Sequence, residues 1–330
     1  MDCQILWNEL SAPQWNERFL RTTRAPITQS VPYAIAAAKL YGQRPKWGVI
    51  VIGGQEAGLV QMMEAGILWN AIHAVIIDRG PLWFDGFGAA GHISLFWQAI
   101  NTQFPQRFMR KRRFIPEMMD GMAAQSVLQG AGLTHQAGSV YQTLWMNLRG
   151  SEDDLRAGLK KNWRGSLQKS ERQSLSIDWS DDGGAGLEAF LQYYALDKAA
   201  RGYSGASVKM MGHLGHAFAT KSPTIEGRAM NNVVIARVMQ DGQPLAAALI
   251  FIHGNSATYQ AGWCTDKGRD VCANHMVLWQ AALRLKASGI TDFDLGGVND
   301  ETAAGIKKFK EGLIGKNDNG IHQTLPGIFS

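Results

Sequence analysis

The sequence contains one structural plan twice, and this repetition is the strongest constraint on its fold. Each copy has three apolar runs of strand length, with a glycine-containing turn between the first and second runs, as expected for antiparallel neighbours. A segment of helical length and a further strand candidate follow each set. The strand candidates are residues 47–52, 59–64 and 71–77, and then 232–239, 245–253 and 257–263. The helix candidates are residues 92–104 and 274–288. This order predicts two α+β units.

A basic amphipathic helix is predicted between the two copies, over residues 151–172. Ser151 is a favourable N-cap, and the acidic residues at 152–154 suit the positive end of the helix dipole. Apolar residues recur at every fourth position, which predicts one buried stripe: Leu155, Leu159, Trp163 and Leu167. Lysines and arginines occupy much of the remaining surface.

Composition and charge indicate a globular protein of the cytoplasm. An acid, Asp2, stands where a secretion signal has basic residues, and no apolar run approaches the roughly 20 residues that span a bilayer. The three cysteines form no CxxC pair, which favours reduced thiols. We therefore expect no integral membrane segment, and a formal net charge of +5 is compatible with peripheral contact with a membrane.

Several short motifs, in this order along nearly the whole chain, resemble the FemAB/FemX-like aminoacyltransferases. The most specific is Phe293-Asp294-Leu295-Gly296-Gly297, which is followed by Phe309-Lys310 and by Gly315. Arg79-Gly80-Pro81 and Lys161-Asn162-Trp163-Arg164 are further points of similarity.

The resemblance implies both a fold and a reaction. The implied fold class is α+β, with two tandem acetyltransferase-like (GNAT-like) domains, each a mixed, mainly antiparallel sheet flanked by helices. The implied domains are residues 1–148, to which 318–330 return, and residues 149–317. The implied reaction moves an aminoacyl group from aminoacyl-tRNA to the amine of a peptidoglycan precursor or related acceptor by direct attack, without a covalent enzyme intermediate.

The resemblance also implies three catalytic residues, Lys310, Phe309 and Asp85. Acyl transfer needs a donor or cation at the oxyanion that develops on the carbonyl, and Lys310 matches the family lysine with that role. From local sequence alone, a solvated basic helix face that includes Lys307 and Lys308 is the better explanation of Lys310, and only the match to the Phe309-Lys310 motif favours the catalytic role. Asp85 follows a turn, and an Asx-turn accounts for it as well as contact with the acceptor amine.

Substrate-binding residues are implied in both halves of the chain: Lys39, Tyr41, Arg201, Tyr203, Tyr259, Gly296 and Gly297. Position 41 is often asparagine in the family, which weakens the assignment of the acceptor. An arginine suits bidentate contact with phosphate, although an ion pair with Asp197, four residues earlier, also explains Arg201. The glycine pair permits either close backbone approach to a ligand or a tight turn.

No cofactor and no metal are expected. Acetyltransferases cradle the pyrophosphate of coenzyme A at a glycine-rich helix start, whereas residues 269–274 contain no glycine. His213 and His216 lack nearby acids or thiols at ligand spacing. The expected partners are therefore aminoacyl-tRNA as co-substrate and a nucleotide- or lipid-linked cell-envelope precursor, but not DNA. Basic residues at 107–113 and 151–172 are candidates to meet RNA phosphates, with a solvated surface as the alternative.

Two other functions fit the same fold. One is an N-acyltransferase of polysaccharide or lipid modification that uses an acyl thioester of coenzyme A. The other is a binding protein without catalysis, against which the presence of Phe309-Lys310 argues.

Overall fold

The computed structural model describes residues 2–138, 140–202, 205–220, 224–225, 228–229, 231–299, 302–315 and 320–330. By its internal contacts the chain divides into two compact units, Met1–Gln142 with Gln323–Ser330 and Thr143–His322. The sequence placed this division after residue 148 and the return at residue 318. The observed division comes earlier because residues 143–147 pair in the sheet of the second unit.

The first unit is built on an eight-stranded sheet with the order β1-β2-β3-β4-β6-β17-β7, in which β5 pairs with β3. Its strands are β1 (Cys3–Trp7), β2 (Arg44–Ile52), β3 (Gln55–Ile67), β4 (Ile72–Gly80), β5 (Leu82–Trp83), β6 (Arg110–Pro116), β7 (His135–Gln136) and β17 (Ile328–Phe329). Its helices are α1 (Ala12–Phe19), α2 (Val31–Tyr41), α3 (Ala90–Gln103) and α4 (Met122–Gly130), with a 3-10 turn at Ile27–Gln29.

The second unit is built on a seven-stranded sheet with the order β16-β8-β15-β14-β13-β12-β9. Its strands are β8 (Gln142–Asn147), β9 (Ser176–Ser180), β12 (Asn231–Gln240), β13 (Gln243–His253), β14 (Ser256–Cys264), β15 (Asp292–Gly297) and β16 (Gly320–Thr324), beside a small ribbon of β10 (Thr224–Ile225) and β11 (Arg228–Ala229). Its helices are α5 (Glu152–Gly158), α6 (Lys161–Glu171), α7 (Ala185–Arg201), α8 (Val208–Ala219), α9 (Asp266–Asp270), α10 (Ala273–Ala287) and α11 (Ala304–Ile314).

The predicted duplication is confirmed. In each unit three consecutive strands form an antiparallel meander, β2-β3-β4 and β12-β13-β14. A helix then crosses over, α3 in the first unit and α10 in the second, and the next strand pairs in parallel with the third: β6 with β4 and β15 with β14. These two parallel pairs follow from the crossover helices, because a helical connection returns the chain in the same direction.

Each crossover helix packs an apolar face on its own sheet. On α3 the buried residues recur at helical spacing: Ile93, Phe96, Trp97 and Ile100. The ring of Trp97 lies 5.3 Å from that of Phe114 on β6, centroid to centroid. On α10 the buried face includes Val277, Leu278, Trp279, Ala282 and Leu285, and it belongs to the same core as Phe293 and Leu295 of β15.

The prediction of one helix over residues 151–172 was wrong in one respect, because the segment forms two helices. The start is as predicted: the Ser151 hydroxyl accepts from the backbone of Asp154, whose carboxylate accepts from the backbone of Ser151. Leu159 and Lys160 are extended, with ψ of 139° and 141°, and separate α5 from α6. The Lys160 N–H donates to the Gly312 carbonyl at 3.0 Å, so a tertiary contact replaces a helical one.

Among the described residues, none of the helices has the length and apolar character needed to cross a lipid bilayer.

Candidate active site

Lys310 lies inside the second unit rather than on a solvated helix face. It is only 8% exposed, whereas Lys308, two residues earlier on α11, is exposed. Its Nζ donates to the Gly297 carbonyl oxygen at 3.0 Å and lies 5.7 Å from the centroid of the Tyr259 ring. The structure thus brings together four predicted site residues: Tyr259, Gly296, Gly297 and Lys310.

Irregular pairing at the end of β15 shapes the backbone that meets Lys310. Asp294 pairs with Trp145, but Gly297 pairs with Thr143, so β15 has one more residue than β8 over this stretch. Gly296 has φ of +75°, and a Cβ atom there would lie 3.0 Å from the Tyr259 carbonyl oxygen and 3.6 Å from Lys310 Nζ. Both the backbone conformation and the close approach therefore require glycine at 296.

Asp294 holds this irregular strand end in place. Its carboxylate accepts hydrogen bonds from the Thr143 hydroxyl and from the backbone N–H of Gly296, the latter at 2.8 Å. The side chain is 1% exposed, so these partners satisfy a carboxylate that is removed from water. Asp294 therefore anchors the strand end through hydrogen bonds to β8 and to the backbone of β15.

The environment of Lys310 makes its proton easier to lose. Burial lowers the pKa of Lys310 to about 8, and the carboxylate of Asp294 opposes part of this decrease. At neutral pH the ammonium form still predominates, so a cation is present at the end of β15.

We predict that this buried lysine gives the protein an additional pH dependence of stability. Between pH 8 and 10.5 the folded chain has lost the Lys310 proton while the unfolded chain keeps it, so stability rises with pH in this window. Relative to Lys310→Met, the wild-type free energy of unfolding should rise by roughly 3 kcal/mol between pH 8 and 10.5. Urea denaturation of both proteins at several pH values measures the difference. Parallel curves would show that burial does not lower the lysine pKa.

The side chain before Lys310 lines a separate cavity within the second unit. The Phe309 ring packs against Trp163 and His275, with centroids 6.0 and 5.0 Å away, and Trp163 and His275 are 4.9 Å apart. These three rings line a cavity of about 700 Å³. Burial lowers the pKa of His275 to about 4, so its ring is neutral at physiological pH.

Three lysines stand at the same cavity, Lys160, Lys161 and Lys308. Lys160 is paired with Glu311 at 3.3 Å, whereas Lys161 and Lys308 are exposed. The break between α5 and α6 contributes Gly158, Leu159 and Lys160 to the lining, so the extended residues that the sequence did not predict help to form the cavity. A wall of aromatic rings with a cationic rim suits a ligand that has both a planar ring and phosphates.

The residue before α10 has a left-handed backbone conformation that glycine usually adopts, although the residue here is Cys272. Cys272 precedes the helix with φ of +57°. The N–H groups of Cys272 and His275 donate to the carbonyls of Arg269 and Cys272, and the N–H of Asn274 meets the Cys264 sulfur. Three backbone donors at this helix start are therefore already used within the chain.

Arg201 lies at the end of α7, within an exposed group of charges. Its guanidinium contacts Asp197 at 2.7 Å and Asp266 at 2.9 Å. The ion pair considered as the alternative for Arg201 is thus present, and a phosphate at this position would compete with two carboxylates. Tyr203 lies outside the described residues.

The remaining predicted residues belong to the first unit. Lys39 and Tyr41 are exposed in the last turn of α2, and Asp85 is exposed in the turn after β5. Tyr41 lines a small cavity of about 170 Å³ together with Asp78 and Arg113, which are 3.7 Å apart. Their roles in acceptor binding stay predictions.

Sequence reasoning did not identify His275 or Thr143 as site residues. Trp163, His275 and Phe309 lie on α6, α10 and α11, and no motif joins them, because only the packing of three helices brings their rings together. A histidine within the mainly apolar first two turns of α10 was an available signal for His275.

Comparison with known proteins identifies the type of domain that carries this site. Residues 157–311 match the family model described as an acetyltransferase (GNAT) domain. The second unit therefore contains a domain of the acetyltransferase (GNAT) type. This range contains Tyr259, Gly296, Gly297, Phe309 and Lys310. No curated protein sequence shows significant similarity to the chain.

Solved structures extend the similarity over both units. The crystal structure of FemX has a TM-score of 0.77 at 12% identity and covers 98% of this chain and 96% of its own. A conserved protein of unknown function from Bacteroides thetaiotaomicron has a TM-score of 0.59 at 12% identity, and the match covers 98% of this chain and 99% of that protein. A tandem GNAT protein from the clavulanic acid biosynthesis pathway has a TM-score of 0.52 at 11% identity, and the match covers 99% of this chain and 98% of that protein. The predicted resemblance to FemX-like proteins and the tandem GNAT-like fold are confirmed at the level of the fold.

Proposed function

We propose that the chain transfers an aminoacyl group from aminoacyl-tRNA to the amine of a peptidoglycan precursor or a related cell-envelope acceptor. The observation that supports this most is the buried ammonium of Lys310, which contacts the Gly297 carbonyl at the end of β15 in a GNAT-type domain. A fixed cation in a site with little water stabilises developing negative charge far better than one in solution.

The proposed step is direct aminolysis of an ester. The acceptor nitrogen forms a bond to the ester carbonyl carbon, the carbonyl oxygen becomes negatively charged, and the bond from that carbon to the ribose oxygen then breaks. The nitrogen loses a proton and the ribose oxygen gains one. Lys310 has three N–H donors, of which one is bound to Gly297, and another is proposed to bind the oxyanion.

The ring-lined cavity supports a donor that contains nucleotides. Phe309 and Lys310 are neighbours on α11, with the Phe309 ring in the cavity and the Lys310 ammonium at the strand end. A terminal base stacked on Phe309 would therefore hold the donor against α11, the helix that also carries Lys310. Lys161 and Lys308 are proposed to meet the RNA phosphates.

An acyl thioester of coenzyme A is the second candidate donor. It is favoured by the match to an acetyltransferase domain and by the left-handed conformation of Cys272 at the start of α10. It is disfavoured by the internal hydrogen bonds of the Cys272, Asn274 and His275 N–H groups, because a pyrophosphate cradle needs such donors to be available.

A direct comparison of donors tests the proposal. The purified chain is incubated with extracted envelope precursors and either a radiolabelled aminoacyl-tRNA pool or radiolabelled acyl-CoA. Transfer of label from tRNA alone is the expected result. Transfer from acyl-CoA alone would replace the first candidate by the second, and transfer from neither would favour a binding protein.

Removal of the positive charges of Lys161 and Lys308 should weaken binding of the donor without slowing the chemical step. Lys161→Gln with Lys308→Gln should raise KM for aminoacyl-tRNA by about tenfold, leave kcat nearly unchanged and reduce the salt dependence of binding. Lys169→Gln is the matched control, because Lys169 is an exposed lysine of α6 outside the cavity. Equal effects of the control and the double variant would contradict a specific phosphate contact.

A further inference from the structure

An exposed apolar surface lies at one end of the first unit's sheet. The turn between β3 and β4 exposes Ile67, Leu68 and Trp69, and the loop before β6 exposes Phe108 and Met109. The exposure of Trp69 is complete and that of Phe108 is 85%, although both side chains are among the most costly to leave in water. We call these five residues the apolar tip.

Direct contacts join the two loops of the apolar tip into one surface. The Arg107 guanidinium donates to the carbonyl oxygens of Asn70 and Ala71, the second at 3.1 Å. The His73 N–H donates to the Met109 carbonyl at 2.9 Å. The loops are therefore held side by side by hydrogen bonds from Arg107 and between their backbones, which leaves the apolar side chains to face outward.

The backbone of the β3–β4 turn adopts an unfavourable conformation. Leu68, Trp69 and Asn70 have φ of 50°, 56° and 64°, in the left-handed region. Asparagine tolerates this region, whereas the side chains of leucine and tryptophan disfavour it for steric reasons. Backbone strain at exposed residues supports a functional role for this turn.

The charges around the apolar tip are basic. Residues 105–111 contain Arg107, Arg110 and Lys111 and no acid, whereas Arg112 is buried and Arg113 pairs with Asp78. The carboxylate of Glu64, on β3, is compensated by the ammonium of Lys46 at 3.7 Å. An apolar projection in a basic surround is complementary to a bilayer with anionic headgroups.

We propose that the apolar tip inserts into the surface of a membrane that contains anionic lipids, with Arg107, Arg110 and Lys111 at headgroup level. A tryptophan at the end of a hairpin suits the bilayer interface, where an amphipathic ring is favoured. A protein partner would instead need a pocket for this protruding ring, so the convex shape favours a bilayer. This inference does not depend on the reaction proposed above.

Vesicle sedimentation tests the proposal with the full chain. Vesicles of phosphatidylcholine alone are compared with vesicles containing about one third phosphatidylglycerol. The wild type should bind the anionic vesicles, and Trp69→Ser with Phe108→Ser should weaken binding by about tenfold or more. Lys111→Gln should weaken it by about fivefold, and added salt should do the same. Met122→Ser should have no effect, because Met122 is 92% exposed on α4 of the same unit but outside the tip.

A second measurement tests whether Trp69 itself enters the lipid. Brominated lipid should quench part of the wild-type fluorescence on binding, and Trp69→Phe should keep binding but lose that quenching. Unchanged vesicle binding in the Trp69/Phe108 variant would overturn the proposal. The proposal would also be overturned if the wild type did not bind vesicles but self-associated at high concentration, and if the variant abolished this self-association. The apolar tip would then contact a second copy of the chain.

Discussion

Lys310→Ala is expected to lower kcat by on the order of 10²–10³ at saturating acceptor, as typically follows the loss of one oxyanion donor. The physical reason is that the ammonium is fixed by the Gly297 carbonyl and is only 8% exposed, so water does not replace it effectively. With the cation removed, the developing oxyanion loses its only proposed charged partner. Steady-state kinetics with aminoacyl-tRNA and envelope precursor measure the effect.

Two measurements distinguish stabilisation of the oxyanion by Lys310 from a role in binding or folding. Lys307→Ala should be nearly silent, because that lysine is not part of the Gly297 contact. The wild-type kcat should fall as pH rises through about 8, since burial lowers the pKa of Lys310 to that value and the neutral amine no longer stabilises the oxyanion. If Lys310→Ala turns over normally at saturating acceptor, the lysine has a binding role only.

Gly315→Ala is expected to destabilise the second unit by more than about 3 kcal/mol. Gly315 ends α11 with φ of +68° and ψ of −148°, a combination that is nearly exclusive to glycine. A Cβ atom would lie 1.5 Å from the Gly158 carbonyl oxygen, so the backbone of α5 or α11 must move. Because Gly158 lines the ring-walled cavity, the change should also weaken donor binding. Urea denaturation followed by circular dichroism measures the loss.

Gly165→Ala provides the matched control. Gly165 is exposed inside α6, and a Cβ atom there meets no other atom within 4 Å. Alanine should stabilise this helix by roughly 0.5–1 kcal/mol, because it loses less conformational entropy than glycine on folding. Equal stability of the Gly315→Ala and Gly165→Ala proteins would contradict the close approach of α11 to α5.

Local patterns in the sequence were sufficient for the elements of the fold. Apolar runs of strand length predicted the two meanders, and apolar segments of helical length predicted the helices that pack on them. The Ser151 cap was also predicted, because a capping box involves residues only three positions apart. The order of the motifs predicted the FemX-like fold through resemblance.

The sequence was less informative where the local pattern and the tertiary contacts disagree. An apolar stripe runs without interruption from Leu155 to Leu167, and it predicted one helix. The bond from the Lys160 N–H to Gly312 is made with α11, far along the chain, so nothing within the stripe indicated the break. The burial of Lys310 was hidden for the same reason, since its neighbours Lys307 and Lys308 suggested a solvated face.

The sequence by itself therefore determined the repeated α+β plan, the order of the strands and helices and the residues available for chemistry, because these depend on periodicity and residue type over short distances. Only the tertiary structure decided which of those residues meet. It placed the Lys310 ammonium on the Gly297 carbonyl, enclosed Phe309 with Trp163 and His275, and left Trp69 and Phe108 outside the core. The reason is that burial and contact depend on how distant segments pack, and a one-residue irregularity at the end of β15 is enough to change the surroundings of every atom near Gly296.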